Sequence, residues 1–153
     1  MDFKKYNSIE NSYQIEFLNE IKEQGFYDLE YVVQEKVHGA NLSFITNGKD
    51  IISAKRTELI TDDENFYNSK YVQHKYESKV IQLYKLISEK YSDVKQVTIF
   101  GELFGGIYPQ PNVEKVNTAV FVQKGVYYCP DNDFYAFDIL INSDQYLAND
   151  TII

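Results

Sequence analysis

The run Glu35-Lys36-Val37-His38-Gly39-Ala40-Asn41 sets an amine, an imidazole and a carboxamide around one glycine. Glycine there lets backbone and ligand approach closely, and the β-prone residues ahead of it would deliver Lys36 at a strand end. A second run, Ser53-Ala54-Lys55-Arg56-Thr57, contains the only arginine of a chain with fourteen lysines. A guanidinium offers the planar, bidentate donor set that suits phosphate or ribose oxygens. Phe100-Gly101-Glu102-Leu103-Phe104-Gly105-Gly106 embeds a carboxylate between glycines and large apolar residues. Phe134-Tyr135-Ala136-Phe137-Asp138-Ile139 does the same with an aspartate. A carboxylate in such surroundings needs a partner or a task. Phe137 is either plain core or a platform for a base.

Taken singly, each has a plainer reading. Lys36 would be a solvated lysine, Arg56 a surface salt bridge to Glu58 or Asp62, and Glu102 a structural ion pair. The four segments draw attention because they occur together.

The 153 residues amount to one ordinary domain, with a hydrophobic fraction of 44% and a charged fraction of 25% that argue against disorder. No apolar stretch reaches the ~18 residues of a membrane span, and Met1-Asp2-Phe3-Lys4-Lys5 lacks the apolar core of a signal peptide. Cys129 is the only cysteine, which excludes an intrachain disulfide and a multi-cysteine zinc site. His38 and His74 are far apart, so any metal would rest on oxygen ligands. A reducing cytoplasm is the simplest compartment. The net charge of -8 is the wrong sign for a surface that coats nucleic acid, but permits a local basic pocket.

The elements that must position these groups are legible by period. Ile9, Tyr13, Phe17 and Ile21 recur every four residues, predicting an amphipathic helix over 9–24 with Gly25 as its cap. Alternation from Leu29 predicts a strand running into Glu35 and Lys36. Asn47-Gly48 between two β-prone runs predicts a hairpin of 42–46 with 51–55 through a type I′ turn, bringing Lys55 and Arg56 back toward Lys36. Residues 61–69 read as a loop and 71–91 as a long helix. Val97 to Leu103 and Phe134 to Ile141 read as strands. Ala119 to Val122 and Val126 to Cys129 flank Gln123-Lys124-Gly125 as a second hairpin. Hairpins without βαβ crossovers indicate an α+β fold on antiparallel sheet.

Lys36-Val37-His38-Gly39, Lys55-Arg56-Thr57, Phe100-Gly101-Glu102 and Phe137-Asp138-Ile139 resemble motifs I, Ia, III and IIIa of the covalent nucleotidyltransferases, in that order. The histidine of the lysine motif, where DNA ligases and capping enzymes usually carry aspartate, resembles the RNA ligase 2 family of phage nick-sealing and kinetoplastid RNA-editing ligases. Phe3-Lys4-Lys5-Tyr6 and Val122-Gln123-Lys124-Gly125-Val126-Tyr127-Tyr128 match further, so the resemblance spans nearly the whole chain. It implies the ATP-grasp-like adenylyltransferase domain of nucleic-acid ligases, with 1–153 as the N-terminal part of that single domain.

The resemblance also implies a reaction. Lys36 would attack the α-phosphate of ATP and carry AMP as a phosphoramidate, which requires a neutral amine. Arg56 and Glu102 would contact ribose and phosphate, Phe137 adenine, and Glu35 the base. His38, Asn41 and Lys55 would serve the phosphates and the RNA end, with Mg²⁺ orienting the phosphates. Strict alternation sets Asp138 on the face opposite Phe137, as a second-layer or metal-linked group. AMP would pass to an RNA 5′-phosphate, and an RNA 3′-hydroxyl would then displace it, the chemistry of RNA repair and editing. No glutamate motif IV or Lys-x-Lys motif V is found, so the expectation is a chain truncated before them, with a C-terminal remainder of the same protein as partner. The competing readings are a degenerate module that binds nucleotide or RNA ends without catalysis, and a DNA ligase or capping-type enzyme.

Overall fold

The computed structural model describes residues 1–148. The chain divides into two compact units, one of residues 6–36 and the other of Met1–Lys5 together with the chain from Val37 onward.

The smaller unit contains helix α1, Ile15–Glu23. It begins six residues later than the periodicity predicts: Asn11 to Gln14 form a turn instead, closed by the Gln14 N–H on the Asn11 carbonyl at 3.0 Å. Ile9 and Tyr13 are exposed there. The glycine cap is as expected. Gly25 adopts a φ of +75°, its N–H donates to the Lys22 carbonyl, and the Phe26 N–H donates to that of Ile21. These two bonds satisfy carbonyls that the end of the helix leaves open. The strand expected over 29–36 does not form. Alternation supplies the side chains for a strand but not the ladder partner a strand requires, and none of the sheet strands pairs with this segment. Val33 is 92% exposed. Glu35 and Lys36 therefore lie on exposed, irregular backbone and not at a strand end.

The larger unit is a five-stranded antiparallel sheet in the order β2-β1-β3-β4-β5. Its strands are β1 Ala40–Thr46, β2 Ile51–Lys55, β3 Val97–Gly105, β4 Asn132–Ile141 and β5 Gln145–Tyr146. The β1–β2 hairpin is as read, but its loop is four residues long, because Thr46 pairs with Ile51. Asn47 Oδ1 accepts the N–H groups of Lys49 and Asp50, and only Gly48 takes a positive φ, +88°. A side chain at Gly48 would run into the Tyr84 ring at 2.4 Å, so this glycine answers both to the turn and to close approach by the helix.

That helix, α2, is Ser69–Lys90. Val72, Val80 and Ile87 pack on the sheet face formed by Leu42, Phe44, Val97, Ile99, Ile139 and Ile141. Burying each such side chain contributes about 2 kcal/mol, which outweighs the absence of a side-chain cap at the start of α2. No helix among the described residues is long and apolar enough to cross a membrane. The N-terminus is tied to the start of β3: Asp2 N–H donates to Gln96 Oε1, and Gln96 Nε2 donates to the Asp2 carbonyl at 2.8 Å.

The second hairpin, expected over 119–129, is irregular backbone. The buried carboxamide of Asn132 takes both backbone groups of Val120, accepting its N–H at 2.8 Å and donating to its carbonyl at 2.7 Å. Val122 N–H goes to the Gly105 carbonyl. With those groups bonded to the ends of β3 and β4, the segment does not pair with itself.

Candidate functional site

Residues paired directly across a sheet project to the same side. Asn41 faces Glu102 on β3, and Glu102 faces Tyr135 on β4, so these three form one row. Ser43, Phe100 and Asp138 form the next row on that side, away from α2. Phe137 reaches the same face by a different route. Phe100 pairs with Asp138 and Gly101 with Ala136, leaving Phe137 as an extra residue in a β-bulge. Counted from Tyr135, Phe137 is two residues on and shares its side. Counted from Phe100, Asp138 shares it too. The expectation that Asp138 turns away from Phe137 is thus overturned, because the inserted residue resets the alternation. The bulge had a signal in the sequence, since a glycine inside a strand marks a bulge or close approach. A side chain at Gly101 would strike the Phe134 ring at 2.3 Å.

The last two residues of the lysine motif, His38 and Gly39, dock on the end of this face. Glu102 Oε1 accepts the Gly39 N–H at 3.0 Å. Gln123 Nε2 donates to the Gly39 carbonyl at 2.9 Å, and the Tyr128 hydroxyl accepts the His38 N–H at 2.9 Å. The backbone of Gly39 lies so near β3 that a Cβ would fall 2.1 Å from the Leu103 carbonyl oxygen. Gly39 is therefore required by protein packing alone. The His38 side chain is exposed, and Asn41 and Glu102 are half-buried.

Arg56 is the residue after the final β1–β2 pair, Leu42 with Lys55, at the same end of the sheet as Asn41 and Glu102. It is exposed and forms no ion pair among the described residues. Lys55 departs from expectation. It pairs with Leu42 and so belongs to the face that carries α2, where its ammonium meets Glu64 at 2.7 Å and Glu58 at 3.2 Å. Hydrogen bonds to Glu64 and then Glu58 hold its pKa above the ordinary lysine value. It is not grouped with Asn41 at an RNA-end site. Glu35 and Lys36 belong to the smaller unit. Lys36 immediately precedes Val37, the first residue of the unit that carries Glu102.

A second polar cluster joins α2 to the start of β4. Asp133 accepts from the Tyr76 hydroxyl and the Phe134 N–H and lies 3.3 Å from the Lys75 ammonium. Burial would raise the Asp133 carboxyl, but Tyr76, the Phe134 amide and Lys75 outweigh it and hold the pKa below the usual carboxylate value. Burial, reinforced by Asp133, pushes the Tyr76 phenol far above its ordinary range. Burial also raises the Cys129 thiol. Among the described residues, no three His, Cys, Asp or Glu side chains come together as a metal site.

Gln123 and Tyr128 were visible in the sequence as part of a motif match, without a role. Their function in holding His38 and Gly39 emerges only from the fold, since 84 and 90 residues separate the bonded partners.

The family model for RNA ligase matches residues 29–152. RNA-editing ligase 2, mitochondrial, from Trypanosoma brucei brucei (strain 927/4 GUTat10.1) is 32% identical over 152 residues, covering 90% of this chain and 36% of that protein. RNA-editing ligase 1, mitochondrial, from Trypanosoma brucei brucei is 29% identical over 143 residues, covering 80% of this chain and 30% of that protein. The chain thus spans about a third of the length of these relatives. The family model covers residues 29–152, well over half of the chain, and on that ground the chain belongs to the RNA ligase family.

Proposed function

We propose that this chain is the N-terminal part of the nucleotidyltransferase domain of an ATP-dependent RNA ligase that joins 5′-phosphate and 3′-hydroxyl RNA ends. The observation that carries the reading is the bulge in β4, which sets Phe137 and Asp138 on one face with Glu102 and Asn41. An aromatic ring, two carboxylates and a carboxamide on one open sheet end, with Arg56 beside them, suit a nucleoside monophosphate.

In this reading the neutral Lys36 Nζ attacks the α-phosphorus of ATP in line. A P–N bond forms, the P–O bond to pyrophosphate breaks, and the amine gives its proton to solvent. Arg56 and Glu102 bind ribose and phosphate, Phe137 stacks on adenine, and Glu35 lies against the base. An oxygen of the RNA 5′-phosphate then attacks the AMP phosphorus, breaking the P–N bond and returning the lysine as an amine. The RNA 3′-hydroxyl next attacks the 5′-phosphorus, loses its proton and expels AMP. His38 and Asn41 orient these phosphates, and Asp138 supports them from the neighbouring row. Lys55 is left out, because Glu58 and Glu64 occupy its amine. Mg²⁺, which binds through one or two carboxylates plus substrate phosphates, would neutralise phosphate charge, with Glu102 and Asp138 as the carboxylates of this face. A single free cysteine suits a cytoplasmic setting.

The test is incubation of the complete parent protein with Mg²⁺ and ATP radiolabelled at the α-phosphate. Label is expected on Lys36 and absent from Lys36→Ala. Label that persists in Lys36→Ala rejects the nucleophile. Calorimetric binding of ATP with no label in the wild type rejects catalysis and leaves a nucleotide-binding module. Sealing of nicked RNA against nicked DNA then separates an RNA ligase from its DNA counterpart.

A further inference from the structure

We propose that Tyr128 is a positioning residue for the lysine motif, acting through the backbone of His38. Its hydroxyl accepts the His38 N–H at 2.9 Å, two residues after Lys36 in the chain. Its ring is held independently, meeting Phe104 of β3 edge-on at 5.5 Å between centroids and 78° between planes. The acceptor therefore stands on the sheet and not on a free side chain. The Gly39 N–H and carbonyl are held in the same way by Glu102 and Gln123, at 3.0 and 2.9 Å. Three side chains from two separate stretches of chain thus take three backbone groups of His38 and Gly39, where no ladder bond is available to His38 because β1 begins at Ala40.

The consequence follows from the fold. The lysine motif emerges from irregular backbone, so nothing in regular secondary structure fixes its course before β1. The Tyr128 hydroxyl supplies the first anchor after the lysine, and with it a fixed backbone for the His38 side chain. Pre-ordering a reacting segment raises the rate of the chemical step more than it tightens ground-state binding. Tyr128 touches neither nucleotide nor RNA in this assignment. The role in catalysis rests on the function proposed above; the anchor itself does not.

The experiment uses Tyr128→Phe, which keeps the ring and its packing on Phe104 but loses the acceptor. Tyr127→Phe, at a neighbouring and 48% exposed tyrosine, serves as the control. Amide hydrogen exchange is read at His38 and Gly39, and self-labelling is followed at increasing ATP. In Tyr128→Phe, exchange at His38 is expected to accelerate about fivefold, the worth of one hydrogen bond. The labelling rate at saturating ATP falls by about the same factor, while half-saturation and the thermal midpoint stay near wild type. Tyr127→Phe matches wild type in every reading. Unchanged exchange at His38 overturns the anchor, whether or not the protein labels. Accelerated exchange with an unchanged saturating rate, or with a change in half-saturation alone, overturns the positioning role. A complete wild-type parent that never labels defeats the ligase reading and with it that role, while the exchange result still decides the anchor.

Discussion

Two carboxylates, Glu102 on β3 and Asp133 on β4, lie one row apart at the same end of the sheet, since Glu102 pairs with Tyr135 and Phe104 with Asp133, yet their surroundings differ. Asp133 meets a lysine, a tyrosine hydroxyl and a backbone N–H, all within its own unit. Its charge is answered by groups that fasten α2 to the sheet. Glu102 shares a row with Asn41 and Tyr135 and holds the backbone of Gly39 in the lysine motif. The Asp133 carboxyl is held below the usual carboxylate value by its structural partners, and that is a warning. Perturbed titration marks a carboxylate with strong partners, and partners come from structure as readily as from function. What distinguishes the proposed site is the company kept by Glu102: an aromatic ring and a second carboxylate on the same face, and a guanidinium at the same end of the sheet.

That contrast can be broken in four ways. The largest effect is expected from Glu102→Ala. Losing charge-assisted contacts worth about 3 kcal/mol in sum should slow self-labelling by roughly a hundredfold, while the thermal midpoint falls only slightly. A variant that labels normally would move Glu102 into the structural class. Asp133→Ala should do the reverse, lowering stability by about 2 kcal/mol in denaturant titration. Labelling per folded molecule should stay within about twofold, and a selective loss of labelling would erase the distinction.

Phe137→Ala should weaken ATP half-saturation roughly tenfold, as loss of one base–aromatic stack implies; an unchanged value would return Phe137 to the interior. The smallest effect concerns pH. The folded pKa of Asp133 lies below its unfolded value, so its stabilisation is complete above about pH 4 and vanishes as pH falls through the folded value. Asp133→Asn should flatten that part of the acid stability curve, and a curve identical to wild type would contradict the assigned charge network.

Much of the fold was legible from local pattern. The long apolar period of α2 and the apolar runs of β3 and β4 carry their own signal, because packing on one face imposes it. Asn47-Gly48 located the hairpin correctly but not its turn, since Asn47 spends its side chain on the loop's own N–H groups. The failures share a cause. Residues 29–36 alternate like a strand and residues 119–129 read like a hairpin, yet strand formation is decided by partners that local sequence does not name. Asn132, which takes both backbone groups of Val120, is one such partner. Arg56, Glu102 and Phe137 were legible as residue types with an unusual setting. The side on which Asp138 lies was not, because it depends on how β4 pairs with β3.

The extra residue at Phe137 puts β4 out of phase with itself. Before it, Tyr135 shares the side of Glu102; after it, Asp138 and Leu140 share the side of Phe100 and Thr98. One strand can thereby give Phe134 and Ile139 to the interior while spending two adjacent side chains, Phe137 and Asp138, on the outside, which a regular pleat forbids. Deleting that single residue would leave composition and hydropathy almost untouched. It would nonetheless turn one half of the strand inside out.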